Sequence, residues 1–400
     1  MVEELEAENG KRAASDPLTK TAMSIVKQFL QDHRVMCYGG TAINNLLPKE
    51  DRFYNPEVDV PDYDFFSQTP QEHATILANK LAAAGIQTIE VKPGMHMGTF
   101  KVFAEYEGVA DITQLDEAIF ERLWKEEVVR DGIHYVPPNF LRMSMYLELS
   151  RPRGDVSRWM KVYKRLQLLN EHYPIVCKPD VATSRSKLEP EMKAEIVKML
   201  KTQPVVLLGI TAAELHLKTN WTTPVVMLAD KSTIEKLTEG KKVEMDEGSE
   251  ILPPRYNIVE SDGSSHMRFY ETTACHSYHN AGGFRVASIP TILQFFFAYL
   301  YSAAKSENIE NTLCIAQRLM DLAAHKPKRR FELLTPIDCL GTQETLIDMR
   351  KHKSELYTKL SANKQSPEFV KFFFTYNPNV SVTQRKKTRE LLKKTRKARS

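Results

Sequence analysis

The sequence predicts an α+β protein with a first domain built on a mixed sheet flanked by helices, followed by a second α/β domain. Three observations predict this class. Strand-like apolar runs alternate with helical patterns along most of the chain. A glycine turn near residue 39 joins a strand to a helix. The chain has 400 residues, 42% of them hydrophobic, which is enough for two packed domains of ordinary size.

The first domain is predicted to begin with a helix at Asp16 and Pro17. Asp is a typical N-cap, and Pro is favoured at the first helical position. Apolar residues from Leu18 to Leu30 then recur at helical spacing. Residues 1–15 are polar, and we expect them to form a flexible arm.

An apolar run from Val35 leads directly into Gly39, Gly40 and Thr41, and a helical pattern follows. Two glycines have no Cβ, so a bulky anion can approach the backbone closely. The N–H groups and dipole at the start of the helix also favour phosphate. We therefore expect this turn to bind a nucleotide, with the Thr41 hydroxyl either donating to a phosphate or capping the helix.

The segment V-P-D-Y-D-F-F carries Asp62 and Asp64. Successive side chains of a strand alternate between faces, so the two aspartates are expected on one face. Neighbouring carboxylates repel each other unless a cation neutralises them, and oxygen ligands suit Mg²⁺. Asp59 ranks lower because Pro61 interrupts the strand between it and Asp62.

The rest of the first domain is predicted as a helix over 71–84, strands over 86–91 and 100–106, and a hairpin turn at Glu107-Gly108. A short strand, V-A-D-I-T, follows the turn and carries Asp111. If this strand lies beside the strand of Asp64, Asp111 becomes the third carboxylate of the site.

Helices are predicted over 140–149 and 156–169. The second of these has a basic face with Lys161, which either reaches a triphosphate or RNA or is a solvated surface. Linker-like composition over 177–190 sets the predicted domains: an arm at 1–15, a first domain at 16–180, a second at 181–380 and a basic tail at 381–400. No second glycine turn followed by an aspartate pair occurs after residue 180, and Gly282-Gly283 comes closest.

The second domain is predicted to mix strands with helices. The strands are expected over 205–208, 225–228, 256–259 and 267–272, and the helices over 289–303, 311–324 and 343–360.

Positive charge is concentrated at the C-terminus. Residues 385–400 contain nine Lys or Arg and one Glu, a net charge of +8, while the whole chain carries +4. Such a tail usually binds a polyanion, most commonly nucleic acid. Alternatively, it serves as a localisation signal or increases solubility. The predicted RNA-binding residues are Arg385, Lys386, Lys387, Arg389, Lys393, Lys394, Arg396 and Lys397.

Five scattered cysteines without a C-x-x-C pair argue for a reducing compartment and against both a disulfide framework and a structural zinc site. The acidic N-terminus is unlike a signal peptide, and the most apolar stretch, 291–304, is too short to span a bilayer. We expect a soluble intracellular protein with no membrane partner.

The motifs Y-G-G-T-A-I-N-N, V-P-D-Y-D-F-F-S and V-A-D-I-T resemble the catalytic motifs of the viral poly(A) polymerases of nucleocytoplasmic large DNA viruses, the giant-virus and poxvirus enzymes. Segments 271–280 and 284–301 also resemble the second domain of that family, so the resemblance covers most of residues 17–360. It implies a polymerase-beta-like nucleotidyltransferase fold for the first domain. It also implies that the second domain is a degenerate nucleotidyltransferase fold that has lost its catalytic residues. One departure is the 21 residues between Gly40 and Asp62, longer than in minimal members of the superfamily.

The activity that the resemblance implies is template-independent addition of AMP from ATP to the 3′ end of mRNA. Asp62, Asp64 and Asp111 fall at the three metal-binding aspartates of the family, for two Mg²⁺ or Mn²⁺ ions, and Gly39 and Gly40 at its phosphate-binding glycines. A homodimer or a separate processivity subunit is a further possible partner, and the sequence does not decide between them. The implied location is the host cytoplasm, at the virus factory, with packaging in the virion left open.

Three alternatives stay open at this stage. The chain could be another nucleotidyltransferase, such as a CCA-adding, oligoadenylate-synthesising or small-molecule enzyme. It could be a catalytically inactive RNA-binding or processivity subunit. It could also be an interaction scaffold whose tail directs it to the nucleus.

Overall fold

The computed structural model describes residues 2–177, 188–219, 221–261, 263–302, 309–380 and 382–397. They form two compact units: Met1–Pro137 with Thr345–Ser400 (the first unit) and Pro138–Glu344 (the second unit). Each unit contains a mixed sheet and helices, so the predicted α+β class is confirmed. The predicted domain boundary at 180/181 lies outside the described residues, and the division into units falls at other positions.

The helices of the first unit before Pro137 are α1 (Val2–Ser15), α2 (Pro17–Asp32), α3 (Gly39–Leu46), α4 (Pro70–Ala83) and α5 (Glu117–Lys125). Its strands are β1 (Met36–Tyr38), β2 (Tyr63–Ser67), β3 (Ile89–Pro93), β4 (Thr99–Ala104), β5 (Glu107–Gln114), β6 (Val128–Arg130) and β7 (Ile133–Tyr135). They form one sheet in the order β3-β4-β5-β2-β1-β7-β6. The central strand β2 runs antiparallel to β1 and parallel to β5.

Helices α2 and α4 cover one face of this sheet. The ring of Phe29 on α2 lies 5.9 Å from that of Phe65 on β2 and 5.7 Å from that of His73 on α4. The start of α2 is as predicted, because the Asp16 side chain accepts a hydrogen bond from Thr19 N and Pro17 is the first helical residue. Alternation along β2 therefore leaves Asp64 on the opposite, open face.

Two local predictions for the first unit are wrong. Residues 2–15 form helix α1, not a flexible arm; their Glu, Ala and Lys residues favour a helix, and Gly10 packs so closely that a Cβ would lie 2.5 Å from Val58 O. The turn before β5 is formed by Glu105 and Tyr106, which both have positive φ, whereas Glu107 already begins the strand.

The helices of the second unit are α6 (Pro138–Leu149), α7 (Trp159–His172), α8 (Pro190–Thr202), α9 (Gly209–Leu217), α10 (Lys231–Thr238), α11 (Ile289–Leu300) and α12 (Ile309–Ala324). Its strands are β8 (Val206–Leu208), β9 (Val225–Ala229), β10 (Val243–Asp246), β11 (Arg255–Ile258), β12 (Met267–Glu271), β13 (His276–Ala281), β14 (Phe284–Ala287) and β15 (Cys339–Leu340). They form one sheet in the order β10-β11-β12-β9-β8-β14-β13-β15.

The second sheet repeats the arrangement of the first. Its central strand β9 runs antiparallel to β8 and parallel to β12, as β2 does to β1 and β5. Gly209 (φ +67°) follows β8 and begins α9, as Gly39 (φ +75°) follows β1 and begins α3. Gly282-Gly283, in contrast, is the hairpin turn between β13 and β14.

The carboxylates of the first sheet are replaced in the second. By register, Val226 stands where the first unit has Asp64, and Arg268, opposite Val226, stands where it has Asp111. Pro224, two residues before Val226, takes the place of Asp62. The repeated sheet thus has no carboxylate at these three positions.

The C-terminal segment returns to the first unit as α13 (Leu346–Leu360), α14 (Pro367–Phe373) and α15 (Val382–Lys397). Tyr376 forms a β-bridge with Val91, and Gln71 on α4 donates to the carbonyls of Val370 and Lys371 at 3.2 Å. Residues 345–380 were predicted to belong to the second domain, and that placement differs from the structure. The predicted basic tail is largely the helix α15.

Four cysteines of the second unit are paired, contrary to the prediction of no disulfide framework. Cys177 bonds to Cys314 and Cys275 to Cys339, whereas Cys37 in the first unit is a buried free thiol. The paired residues are 137 and 64 positions apart in sequence, so spacing along the chain did not reveal them. Within the described part of the chain, no helix combines the length and the apolar composition needed to cross a membrane.

Candidate active site

Three carboxylates converge on the open face of the first sheet. Asp64 on β2 lies directly opposite Asp111 on the parallel strand β5, and Asp62 precedes β2 by one residue. One oxygen from each of the three side chains lies within 4.8 Å of the others. The expectation that the strand of Asp111 lies beside that of Asp64 is confirmed.

The sequence places these side chains by alternation along both strands. Tyr63 and Phe65 on β2 are buried, as are Ala110 and Ile112 on β5. Burial of these residues fixes the orientation of each strand, since a shift by one residue would move every side chain to the other face. Asp64 and Asp111 are consequently held on the same side of adjacent strands.

Lys101 adds a cation to this cluster, and its place there could not be predicted from the sequence. It lies on β4 opposite Asp111, and its Nζ is 2.5 Å from Asp111 Oδ2. Burial opposes the charge of Lys101, but the hydrogen bond to Asp111 and the charges of the three aspartates outweigh it and raise its pKa. Loss of hydration, followed by the charge of Asp111, raises the pKa of Asp62.

The donor set fits a hard divalent cation. All three groups offer carboxylate oxygens, the ligands that Mg²⁺ and Mn²⁺ prefer. Asp111 Oδ1 is buried and, among the residues that the structure describes, has no hydrogen-bond partner. A buried carboxylate oxygen without a donor is costly, so a bound cation would stabilise it.

The glycine turn lies against the carboxylates. Gly39 has a φ of +75°, and a Cβ on it would lie 2.5 Å from Asp64 Oδ2. Any side chain there would collide with the aspartate and would strain the backbone. Gly40 follows as the second residue of α3, so both glycines stand at the helix N-terminus, where backbone N–H groups favour anions.

Thr41 holds Asp62 in place. Its buried hydroxyl donates to the carbonyl oxygen of Asp62 at 2.7 Å. Because a hydroxyl has one proton to donate, this bond leaves none for a phosphate. Neither of the two uses expected for this side chain is seen, because α3 has no side-chain cap bond and the hydroxyl donates to Asp62 instead.

Two asparagines of the glycine motif order the surroundings, and sequence reasoning did not single them out. Asn44 Oδ1 accepts hydrogen bonds from the backbone N of Phe53 and Tyr54, at 2.9 and 3.0 Å. Asn45 Nδ2 donates to the Tyr135 hydroxyl at 3.0 Å. Polar side chains at core-facing positions of an otherwise apolar helix were the available signal, because buried polar groups need partners.

Other predicted residues lie elsewhere. Lys161 is exposed on α7, in the second unit, and its nucleotide-binding role stays a prediction. Asp59 accepts a hydrogen bond from Asn55 N at 2.7 Å within the loop before β2. The predicted RNA-binding residues from Arg385 to Lys394 lie on α15 in the first unit, while the side chains of Arg396 and Lys397 fall outside the description.

Two features define the class of the protein. One is a mixed sheet with convergent aspartates at two adjacent parallel strands, and the other is the strand–glycine–helix turn beside them. The first unit has a nucleotidyltransferase fold. The crystal structure of the Megavirus polyadenylate synthase shares this fold, with a TM-score of 0.79 and 20% sequence identity, over 98% of this chain and 88% of that one.

Sequence comparisons identify the family that residues 24–155 resemble. Residues 24–155 match the family model of the poly(A) polymerase catalytic subunit. A candidate poly(A) polymerase catalytic subunit of Acanthamoeba polyphaga mimivirus is 29% identical over 160 residues, 39% of this chain and 27% of that protein. The corresponding protein of African swine fever virus (isolate Tick/South Africa/Pretoriuskop Pr4/1996) is 28% identical over 183 residues, 44% of this chain and 38% of that one.

The resemblance to the viral poly(A) polymerases is thereby confirmed. The matched regions span well under half the length of these two curated relatives. In sequence the match is centred on the nucleotidyltransferase part, whereas the likeness in fold extends over nearly the whole chain.

Proposed function

We propose that this chain is a template-independent polynucleotide adenylyltransferase that adds AMP from ATP to the 3′ end of RNA. The convergence of Asp62, Asp64 and Asp111 beside the Gly39 turn carries the proposal. The family match over residues 24–155, which includes the turn and all three aspartates, favours poly(A) synthesis over other nucleotidyl transfers.

The three carboxylates would hold two divalent ions. Such ions, when bound, neutralise the triphosphate and lower the pKa of the RNA 3′-hydroxyl. Thr41 fixes the backbone of Asp62, and Lys101 pairs with Oδ2 of Asp111, where an arriving ion would take its place. Asp111 is also our candidate acceptor for the hydroxyl proton, through the carboxylate oxygen that does not hold an ion.

The turn at Gly39 and Gly40 would orient the triphosphate. Its missing side chains leave space for phosphate oxygens next to Asp64, and the first N–H groups of α3 have no intrahelical partner. Phosphates held there would lie beside the carboxylates that share the ions. The turn would thus position the α-phosphorus for in-line attack by the 3′-hydroxyl, which breaks the bond between the α- and β-phosphates and releases pyrophosphate.

The remaining predicted partners belong to this proposal as well. The RNA would be single-stranded, with α15 and Lys161 as candidate contacts. A second copy of the chain or a separate subunit would supply processivity. The matched relatives are proteins of large DNA viruses, which supports a viral origin and action in the host cytoplasm.

Primer extension tests the proposal. An oligo(A) primer is incubated with ATP, GTP, CTP or UTP in turn, with Mg²⁺ or Mn²⁺, and the products are sized. A long ladder with ATP alone is the expected result. A short addition of C and then A would indicate a CCA-adding enzyme, and no extension with any nucleotide would indicate an inactive subunit; either result would contradict the proposal.

A further inference from the structure

The first unit contains a groove between helices α4 and α15 that is separate from the carboxylates. Its volume is about 560 Å³. Its walls include Thr75, Ile76 and Asn79 from α4 and Arg385, Arg389 and Lys393 from α15. We call it the α4–α15 groove.

The α15 wall presents a row of cations. Arg385, Arg389 and Lys393 follow one another at every fourth residue, so they share one face and rise about 6 Å per step. All three are exposed. Over the described ranges, no acidic side chain lies within 4.0 Å of their charged nitrogens. Glu72 is the one acid among the wall residues, so the wall is net positive.

The groove is part of the folded unit. On α15, Thr395 is buried, and Leu391 and Leu392 are partly buried. On the other wall, the Tyr376 hydroxyl donates to Asn79 Oδ1 at 2.8 Å. The cations are thus held at a fixed spacing by a docked helix, whereas a disordered tail would present them in many arrangements.

The groove lies on the far side of the helix layer from the carboxylates. His73 on α4 contacts Phe29 of α2, and its Nδ1 is 2.7 Å from the Ser67 hydroxyl. Ser67 and Phe65 share the helix-covered face of β2, while Asp64 is on the other face. A ligand in the groove therefore cannot be at the site of chemistry.

We propose that the α4–α15 groove binds a single-stranded segment of the RNA upstream of the 3′ end that is being extended. The inference rests on the proposed function and names a second contact for its substrate. Cations at regular spacing match successive phosphates of a strand, and the apolar side chains of Ile76 and Leu392 offer surface for bases. Only an RNA long enough to pass around the first unit would reach both sites.

A matched pair of triple variants tests the groove. R385Q/R389Q/K393Q removes the wall cations, and R350Q/K351Q/K359Q removes three exposed cations of α13 that do not line the groove. Binding of fluorescent oligo(A) of about five and about thirty nucleotides is measured by anisotropy across a salt series. Circular dichroism and thermal denaturation check that α15 stays folded in both variants.

The groove variant is expected to weaken binding of the long oligonucleotide at least about tenfold and to reduce its salt slope by about two, while the control changes both much less. The loss should be larger for the long than for the short oligonucleotide. Equal losses in both variants would show diffuse electrostatic attraction, and no loss would show that RNA does not use the groove; either overturns the inference. These are binding measurements, so a failure of the proposed catalysis would be seen separately in primer extension.

Discussion

Gly39 packs the glycine turn against the carboxylates, and alanine there should disable the site. The added Cβ would lie 2.5 Å from Asp64 Oδ2, and its φ of +75° costs an L-residue about 1–2 kcal/mol. Gly209 is the matched control, because its φ is +67° and its Cβ would lie 3.0 Å from Val226, which has no catalytic group. Thermal denaturation and primer extension should show that both variants lose stability but that G39A alone loses turnover per folded molecule. Equal turnover in the two variants would contradict this role.

Lys101 competes with a divalent ion for Asp111. Its ammonium nitrogen lies 2.5 Å from Asp111 Oδ2, so replacing it by methionine removes a cation that an incoming ion must displace. We expect Lys101→Met to bind Mn²⁺ several-fold more tightly, as measured by the electron paramagnetic resonance signal of the free ion. Lys80→Met is the control with the same charge change, because Lys80 pairs with Asp32 away from the carboxylates. Weaker binding in Lys101→Met would show that the lysine mainly positions Asp111.

Among the residues of the site, the aspartates could be predicted from the sequence, whereas the residues that contact them could not. Asp62 and Asp64 could be predicted because a strand alternates faces, and Gly39 because a strand runs directly into a helix. Lys101 and the Cys177–Cys314 disulfide could not be predicted, since each depends on a contact between distant segments.

Elements with local start signals were the most predictable. Helix α2 begins at Asp16-Pro17, and α11 begins after the capping Ser288, as expected. Helices α1 and α15 were predicted as arm and tail because their charge outweighed their helical propensity. Their order depends on packing against other elements, which the local sequence does not show.

His279 on strand β13 has a pKa that is lowered by the way the residue is packed. His279 is buried and stacks on Phe331, with ring centroids 4.1 Å apart. Burial, with the nearby His216 and Arg329, lowers the pKa of His279 to about 3. Burial and Arg330 lower the pKa of His216 to about 4, against the opposing effect of its bond to the Ala287 carbonyl.

The second unit should therefore lose stability in acid. Between pH 6.5 and about 4 the unfolded chain binds more protons than the folded one. As the pH is lowered through this range, each of the two histidines therefore reduces the free energy of unfolding by up to about 1.4 kcal/mol per pH unit. His279→Phe keeps an aromatic ring for Phe331 but cannot titrate. Urea unfolding at pH 7.5 and 5.0 should show a smaller loss in the variant than in the parent. An unchanged loss would mean that other groups cause the acid sensitivity.

In the whole molecule the same sheet arrangement occurs twice, and one copy has the carboxylates. The family resemblance implied this repeat, but the residues alone did not reveal it. Pro224, Val226 and Arg268 stand at the positions of the three aspartates, and a single glycine, Gly209, makes the turn. Residues 345–400, predicted to lie in the second domain and the tail, belong to the first unit because their contacts with α4 and β3 are distant in sequence.

Asp111→Asn tests most directly whether the first unit carries the chemistry. The substitution keeps the shape of the side chain. It removes the negative charge that would hold a divalent ion and accept the hydroxyl proton. Extension of an oligo(A) primer with ATP is compared with that of the parent at equal concentration of folded protein, with thermal denaturation as the check on folding. We predict a loss of about a hundredfold or more with the fold intact. A folded variant that extends the primer at the parent rate would contradict the account.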